Sequence, residues 1–282
     1  MSRRTALVTG ASTGIGRATA EHLASQGWQV IATVRNTEDA SEVAGPLIRP
    51  LLLDVAADLP FDGVIGEVDA MVGDSGLDLL VNNAAVVAGG PVEYLDLAEW
   101  RSIFEVNFFG VIGLTRALFP LLRKASDPRI VMVGSINCRI GVALLGPYVA
   151  SKHALAGAVV CMRRELAGTG PMVTLIEPGA VKTPLWTKAV DAATRAESVL
   201  PEEGRRRYRR FIAAQRTWLG DGDHRGVDPH KIAALIERIA EVDRPRARYL
   251  VGWDARVAGG LDRVLPDRAM EWLAARLTAS AS

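Results

Sequence analysis

Six short runs of Val, Ile and Leu, each followed at once by a glycine-rich or polar turn, leave this chain few folds to choose from. The runs are Thr5–Thr9, Gln29–Val34, Ile48–Leu53, Leu77–Asn82, Ile130–Ser135 and Met172–Glu177. They lack the polar alternation of a half-exposed strand, so both of their faces are buried, as in a parallel sheet. Helical patterns lie between them: Gly16–Gln26, Val64–Ser75, Leu97–Ala125 and Pro147–Ala167. The alternation predicts an α/β architecture, a doubly wound parallel sheet with right-handed crossovers. In such a sheet the carboxyl ends of the strands share one edge, and ligands bind beyond it. Chemistry is therefore expected in the residues just after each strand.

A length of 282 residues with 49% hydrophobic residues suits one well-buried domain. After Pro184 the pattern changes. Residues 184–226 are helical and amphipathic, carry Trp186, Tyr208, Phe211 and Trp218, and run into a polar stop at Gly220–Gly226. This stretch reads as an inserted helical lid over the substrate. Residues 227–282 read as completion of the same domain, with a helix over Pro229–Val242, a strand over Arg248–Val251 and a terminal helix over Asp267–Leu277. The 33 Lys+Arg and 32 Asp+Glu balance to a net charge of +1, which gives no electrostatic pull toward nucleic acid. Two cysteines, Cys138 and Cys161, make no disulfide framework and suit a reducing compartment. Met1–Ser2–Arg3–Arg4 runs straight into apolar residues, with no room for a signal peptide, and no run of 18 or more apolar residues is present. No transmembrane helix and a cytoplasmic location are expected. No His/Cys/Asp cluster has metal-ligand spacing.

The segment Thr9–Gly10–Ala11–Ser12–Thr13–Gly14–Ile15–Gly16 closes the first strand and opens the first helix. Its glycines allow a tight turn, close approach to a pyrophosphate and packing of helix on strand. The helix start adds unpaired N–H groups and the positive end of a dipole. The residues after the second strand choose between nucleotides: an acid accepts a ribose 2′-hydroxyl, an arginine pairs with a 2′-phosphate. Here Val34 is followed by Arg35 and Asn36, and Glu38 and Asp39 come later. Arg35 can grip a phosphate with its fork of donors, with Ser12 and Thr13 adding hydroxyls. The plainer alternative is a solvated loop arginine. NADP(H) is favoured over NAD.

Tyr148 and Lys152 stand four apart on a predicted helix and share a face. A free tyrosine titrates near ~10, and a neighbouring ammonium is expected to lower that toward the range of an acid/base catalyst. Ser135 ends the fifth strand 13 positions earlier, where its hydroxyl can hold a substrate oxygen. Asn107 lies inside the long helix Leu97–Ala125, a place where an amide needs a reason.

Together these residues resemble the classical short-chain dehydrogenase/reductases over nearly the whole chain. The resemblance implies a Rossmann-type sheet, an NADP(H)-linked oxidoreductase and a catalytic tetrad of Asn107, Ser135, Tyr148 and Lys152. It implies cofactor contacts from Gly10, Ser12, Thr13, Gly14, Ile15, Gly16, Arg35, Asp54, Val55, Asn83, Ala84, Tyr148, Lys152, Pro178, Gly179, Val181 and Thr183. Asp54–Val55 would meet adenine and Pro178–Thr183 the nicotinamide. Asn82–Asn83–Ala84–Ala85 follows the family pattern except that Ala85 stands where the family has glycine. Tyr148 would exchange the proton, Lys152 would hold the nicotinamide ribose, Ser135 would position the substrate oxygen, and Asn107 would support a water leading to Lys152. A narrower resemblance, to the hydroxysteroid and retinol dehydrogenase branch, rests on Val30–Arg35, the insert after Thr183, Arg248–Gly252 and Leu265–Pro266. It implies a bulky hydrophobic alcohol or ketone, such as a steroid, retinoid or lipid.

Other features are less decisive. Trp186 and Trp218 can line an apolar pocket or pack the lid. The run Arg205–Arg206–Arg207–Tyr208–Arg209–Arg210 suits a solvated helix face or an anionic partner. Arg139 is placed to lower the pKa of Cys138, though nothing marks that thiol as a nucleophile. His153 points away from Lys152's face. Two other functions compete: a reductase of carrier-bound 3-ketoacyl chains, which resembles a shorter form without the C-terminal extension, and a non-catalytic NADP(H)-sensing regulator, which would not need the whole tetrad. The apolar faces of Leu97–Ala125 and Pro147–Ala167 suggest a homodimer or homotetramer.

Overall fold

In the computed structural model, which describes residues 3–57, 61–220 and 226–279, the apolar runs form β1 (Thr5–Val8), β2 (Gln29–Val34), β3 (Ile48–Leu52), β4 (Leu79–Asn82), β5 (Arg129–Val133) and β6 (Met172–Pro178), and β7 (Arg248–Val251) follows. All pair parallel in the order β3-β2-β1-β4-β5-β6-β7. The α-helices in chain order are α1 (Gly14–Ser25), α2 (Thr37–Val43), α3 (Asp62–Val72), α4 (Leu97–Phe104), α5 (Val111–Leu122), α6 (Gly146–Glu165), α7 (Leu185–Ser198), α8 (Glu202–Gly220), α9 (Pro229–Glu241), α10 (Trp253–Val264) and α11 (Asp267–Ala279).

The missing alternation in the strands has its cause in two cores. Leu7, Ile31, Leu80, Ile130 and Met132 face one layer, with Val68 of α3, Leu114 and Leu118 of α5 and Leu155 of α6. Val8, Val30, Val81 and Val131 face the other, with Leu23 of α1 and Ile232 and Ile236 of α9. Successive strand residues point to opposite faces, so a strand covered on both must be apolar throughout. The chain is a single α/β domain with the predicted doubly wound sheet. The order reverses between β1 and β4, which opens a crevice at the carboxyl edge.

Sequence reading missed two helices. α2 is short and polar; it is started by Asn36, whose side chain accepts the Asp39 N–H at 2.8 Å. α10 contains Gly259–Gly260, a pattern that argues against a helix. Gly259 is there for packing: a Cβ on it would stand 3.0 Å from Leu250 of β7. The predicted single helix Leu97–Ala125 is α4 and α5 joined by a π-helical turn, Glu105–Gly110. Its residues 97–122 have the length and hydropathy of a membrane-crossing helix, which composition had not suggested. Val111, Leu114, Leu118, Leu121 and Leu122 are buried in the core that covers one face of the sheet, so their apolarity serves the core. The insert after Thr183 forms α7 and α8, and Leu200 and Ile212 join Leu144 in a small satellite core with Tyr94, Tyr208 and Phe211. Gly220 ends α8; the rest of the predicted polar stop, 221–225, lies outside the described residues.

Candidate active site

Three segments far apart in sequence meet around the glycine-rich turn. Gly10 and Gly14 have φ of +64° and +58°, conformations that favour glycine. A Cβ on Gly10 would stand 3.0 Å from the Ala84 Cα, one on Gly14 3.0 Å from Thr183 Cγ2, and one on Gly16 2.2 Å from the Gly10 carbonyl oxygen and 2.6 Å from Asn83 Nδ2. Asn83 Nδ2 donates to the carbonyls of Thr9 and Gly10 at 3.0 and 3.2 Å. The Thr9 hydroxyl accepts the N–H groups of Asn83 and Ala84 at 2.9 and 3.0 Å. The turn is thus a cradle held from β4 and from the segment after β6. Thr13, exposed at the start of α1, makes no side-chain capping bond, so its hydroxyl and the first N–H groups of the helix suit a phosphate. Ser12 is half-buried beside it and Ile15 packs into the core. Ala85 adopts no left-handed φ, so alanine in place of the family's glycine introduces no backbone strain.

The Ala11 N–H donates to the Thr33 carbonyl at 2.9 Å, which brings the turn against the end of β2. Arg35 is exposed there. Of the two acids that follow, Glu38 and Asp39, both in the first turn of α2, Asp39 is bound to the Asn36 side chain at 3.0 Å. Asp54 lies after β3 and accepts the Ala56 N–H at 2.9 Å; Val55 beside it is buried. The residues fit a dinucleotide with a 2′-phosphate: the turn is packed too closely on Ala84, Asn83 and Thr183 for any side chain at Gly10, Gly14 or Gly16, which leaves its backbone N–H groups bare at the start of α1, and the first residue after β2 is a cation, Arg35.

Ser135, Tyr148, Lys152 and Asn107 are all buried. The side chain of Asn107, inside the π turn, accepts the Val86 N–H at 2.8 Å and donates to the Val86 carbonyl at 2.9 Å and the Ser151 hydroxyl at 3.1 Å. Its amide therefore ties the segment after β4 to the residue before Lys152. The Ser151 hydroxyl in turn donates to the Tyr148 carbonyl at 2.7 Å. The Lys152 ammonium lies 5.7 Å from the centre of the Tyr148 ring and donates to the Val133 carbonyl at 3.3 Å. Ser135 Oγ accepts the Asn137 N–H and donates to Asn137 Oδ1, both at 3.2 Å.

Electrostatics in this pocket differ from the expectation that Lys152 lowers the tyrosine. Burial pushes the Tyr148 hydroxyl up to about 12, with Ser135 pulling the other way. Burial also lowers the Lys152 ammonium, weakly opposed by Cys138. Desolvation disfavours the charged form of both groups and is the largest influence on each. Tyr148 is held as a neutral phenol.

Pro178 ends β6, and Gly179 and Ala180 turn over the active edge. A Cβ on Gly179 would stand 2.2 Å from the Asp254 carboxylate, which accepts the Ala180 N–H at 2.7 Å. Val181 is buried and bridges to Val227. Asp254, Ser151 and Asn137 escaped sequence reading because each acts on backbone or on a neighbour, with no motif of its own. Trp186 donates to the Val181 carbonyl at 2.7 Å and meets Trp218 edge-on at 4.9 Å, which is packing geometry. An apolar cavity of about 250 Å³ lies between α7, α8 and the loops after β4 and β5; Gly90, Leu144, Val190, Leu200, Ile212 and Leu219 line it. In the arginine run, Arg207 pairs with Glu93 and Glu203, and Arg205 caps the Leu200 carbonyl. Arg206, Arg209 and Arg210 are exposed. Arg139 is engaged by Glu177, and burial pushes the Cys138 thiol up, with Lys152 only partly opposing. His153 is exposed, its ring against the Val149 carbonyl.

The family model described as short chain dehydrogenase matches residues 4–194. The chain is 30% identical over 275 residues to the NADPH-dependent 3-dehydrocapnine reductase of Ornithobacterium rhinotracheale, covering 95% of each. It is 31% identical over 293 residues to retinol dehydrogenase 5 of Mus musculus, covering 98% of this chain and 90% of the relative. The solved structure of a short-chain dehydrogenase from Streptomyces avermitilis superposes with a TM-score of 0.78 at 28% identity, over 100% of this chain and 99% of that one.

Proposed function

The chain belongs to the short-chain dehydrogenase family, and from that premise we propose that it is an NADP(H)-dependent oxidoreductase interconverting a bulky hydrophobic alcohol and its carbonyl compound. One observation carries the reading: a glycine turn with no room for a Cβ at Gly10, Gly14 or Gly16 follows β1, and the buried Ser135, Tyr148 and Lys152 follow β5, at the same carboxyl edge of the parallel sheet. The hydride chemistry belongs to the bound nicotinamide; the protein supplies position and a proton.

Tyr148 is the proton donor. As a neutral phenol held up to about 12, it carries its proton at working pH and is loaded for reduction of a carbonyl. Oxidation first requires the phenol to lose that proton against burial, so reduction is the easier direction on the protein's side. Ser135 holds the substrate oxygen with its hydroxyl. Lys152, buried beside the ring, holds the nicotinamide ribose and favours charge arising on Tyr148. Asn107 fixes the strand-end segment and the Lys152 helix to each other. Gly10, Gly14 and Gly16 with Thr13 take the diphosphate, Asp54 and Val55 the adenine, and Gly179, Val181 and Thr183 the nicotinamide.

Arg35 selects NADP(H). Its exposure at the end of β2 and the engagement of Asp39 elsewhere support this, as does the NADPH dependence in the name of the 3-dehydrocapnine reductase relative. The apolar cavity under α7 and α8 and the retinol dehydrogenase relative support a hydrophobic substrate, with α7 and α8 as its lid. Exposed Phe109 and Val160 on the long helices support pairing of two copies.

Titration of the purified protein with NADPH and with NADH, followed by nicotinamide fluorescence, tests the cofactor assignment. Tighter NADPH binding that is lost or reversed in Arg35→Asp is expected. Equal or tighter NADH binding by the parent would overturn it.

A further inference from the structure

Glu177, the penultimate residue of β6, is fully buried and carries no role in the proton-transfer scheme. Its carboxylate accepts from Arg139 Nε at 3.0 and 3.1 Å and from Arg139 Nη2 at 2.9 Å. Arg248, the first residue of β7, reaches it more loosely at 3.4 Å. A carboxylate with no solvent exposure is stable only with paired charge and satisfied oxygens, and the bidentate fork of Arg139 is the geometry that fixes orientation as well as charge. Arg139 ends the turn that begins at Ser135. Between them lies one 3₁₀ turn, Ile136–Cys138, closed by Cys138 N–H to the Ser135 carbonyl at 2.9 Å and Arg139 N–H to the Ile136 carbonyl at 3.0 Å. Asn137, in the middle, holds the Ser135 hydroxyl on one side and the Ile140 carbonyl on the other. Cys138 is tucked against the end of β5, where a Cβ on Gly134 would stand 2.7 Å from its sulfur. Ser135 is therefore pinned at two ends: by β5, and, four residues on, by a buried ion pair to β6.

We propose that Glu177 is a positioning residue that, through the fork of Arg139, clamps the Ser135–Arg139 turn and so sets the direction of the Ser135 hydroxyl toward the substrate oxygen. Arg248 only completes the charge balance. The kinetic consequence rests on the oxidoreductase reading above; the structural consequence, closure of the turn over Cys138, does not.

The test uses the full chain with Cys161→Ser, which leaves Cys138 as the sole thiol. Arg139→Lys keeps the charge and loses the fork; Glu177→Gln keeps the shape; Arg248→Lys is the control. Three quantities are read on folded protein: the rate of Cys138 labelling by Ellman's reagent, the NADPH dissociation constant, and kcat for NADPH oxidation with 1-decalone as a bulky ketone. In Arg139→Lys and Glu177→Gln, labelling is expected to rise and kcat to fall on the order of tenfold or more, since misplacement by about 1 Å has effects of that size. NADPH affinity stays within about twofold, because the cradle is elsewhere. Arg248→Lys leaves all three unchanged. Labelling at the parent rate in Arg139→Lys, even with a lowered melting temperature, would overturn the clamp, and so would Arg248→Lys reproducing its losses. A parent that binds NADPH but does not turn over excludes 1-decalone as a substrate, a parent that binds no NADPH refutes the oxidoreductase reading, and in both cases the labelling rates alone decide the clamp.

Discussion

Gly16→Ala places one methyl group where three segments converge. The added carbon would stand 2.2 Å from the Gly10 carbonyl oxygen and 2.6 Å from Asn83 Nδ2. The first neighbour is backbone and cannot swing aside. The second can withdraw only by giving up its bonds to the Thr9 and Gly10 carbonyls, each contributing about 1 kcal/mol. Overpacking of this kind destabilises by about 1–3 kcal/mol, which for a chain of this size lowers the melting temperature by roughly 2–12 °C. The displaced turn is the proposed diphosphate cradle, so NADPH affinity falls on the order of tenfold, about 1.4 kcal/mol. Gly66→Ala is the internal comparison. It lies in α3 with nothing within 4 Å of an added Cβ, and alanine there stabilises by about 1 kcal/mol. Thermal melts and fluorescence titrations of the two variants read both numbers. A Gly16→Ala protein that melts with the parent and binds NADPH equally well would refute the junction as drawn.

Tyr148→Phe is expected to abolish turnover while leaving NADPH binding intact, measured by steady-state rates beside fluorescence titration. It also alters alkaline stability. The folded hydroxyl sits at about 12 against an ordinary 10.0, so the stability it contributes is complete below pH 10 and disappears between about 10 and 12, a difference of about 3 kcal/mol. Urea denaturation of the parent should weaken across that window by this amount more than that of Tyr148→Phe. Asp254→Ala removes the acceptor of the Ala180 N–H; a loss of about 1–3 kcal/mol and weaker nicotinamide-dependent quenching are expected, read by denaturation and NADPH titration.

Much of this molecule was legible in its residues. Val, Ile and Leu without alternation specify strands covered on both sides, and parallel pairing follows from the helices between them. A glycine turn between strand and helix, and Arg35 after β2, depend on local backbone and on chain order, which sequence displays directly. Asn107, Ser135, Tyr148 and Lys152 were legible as residue types at recognisable spacings, and the fold buries all four. Tertiary structure alone decided how those groups are charged and held. The Tyr148 proton is governed by burial, a property of the whole surrounding fold, which raises the hydroxyl where a lowered one was expected. Asn107 stands in a π turn that ends at Gly110, where a Cβ would be 2.3 Å from the Val55 carbonyl oxygen. The Glu177–Arg139 pair joins residues 38 apart in sequence, and Asp254 reaches back 74. No local pattern encodes such contacts. They exist because a parallel sheet brings the carboxyl ends of distant strands to one edge, where side chains without any motif of their own become neighbours.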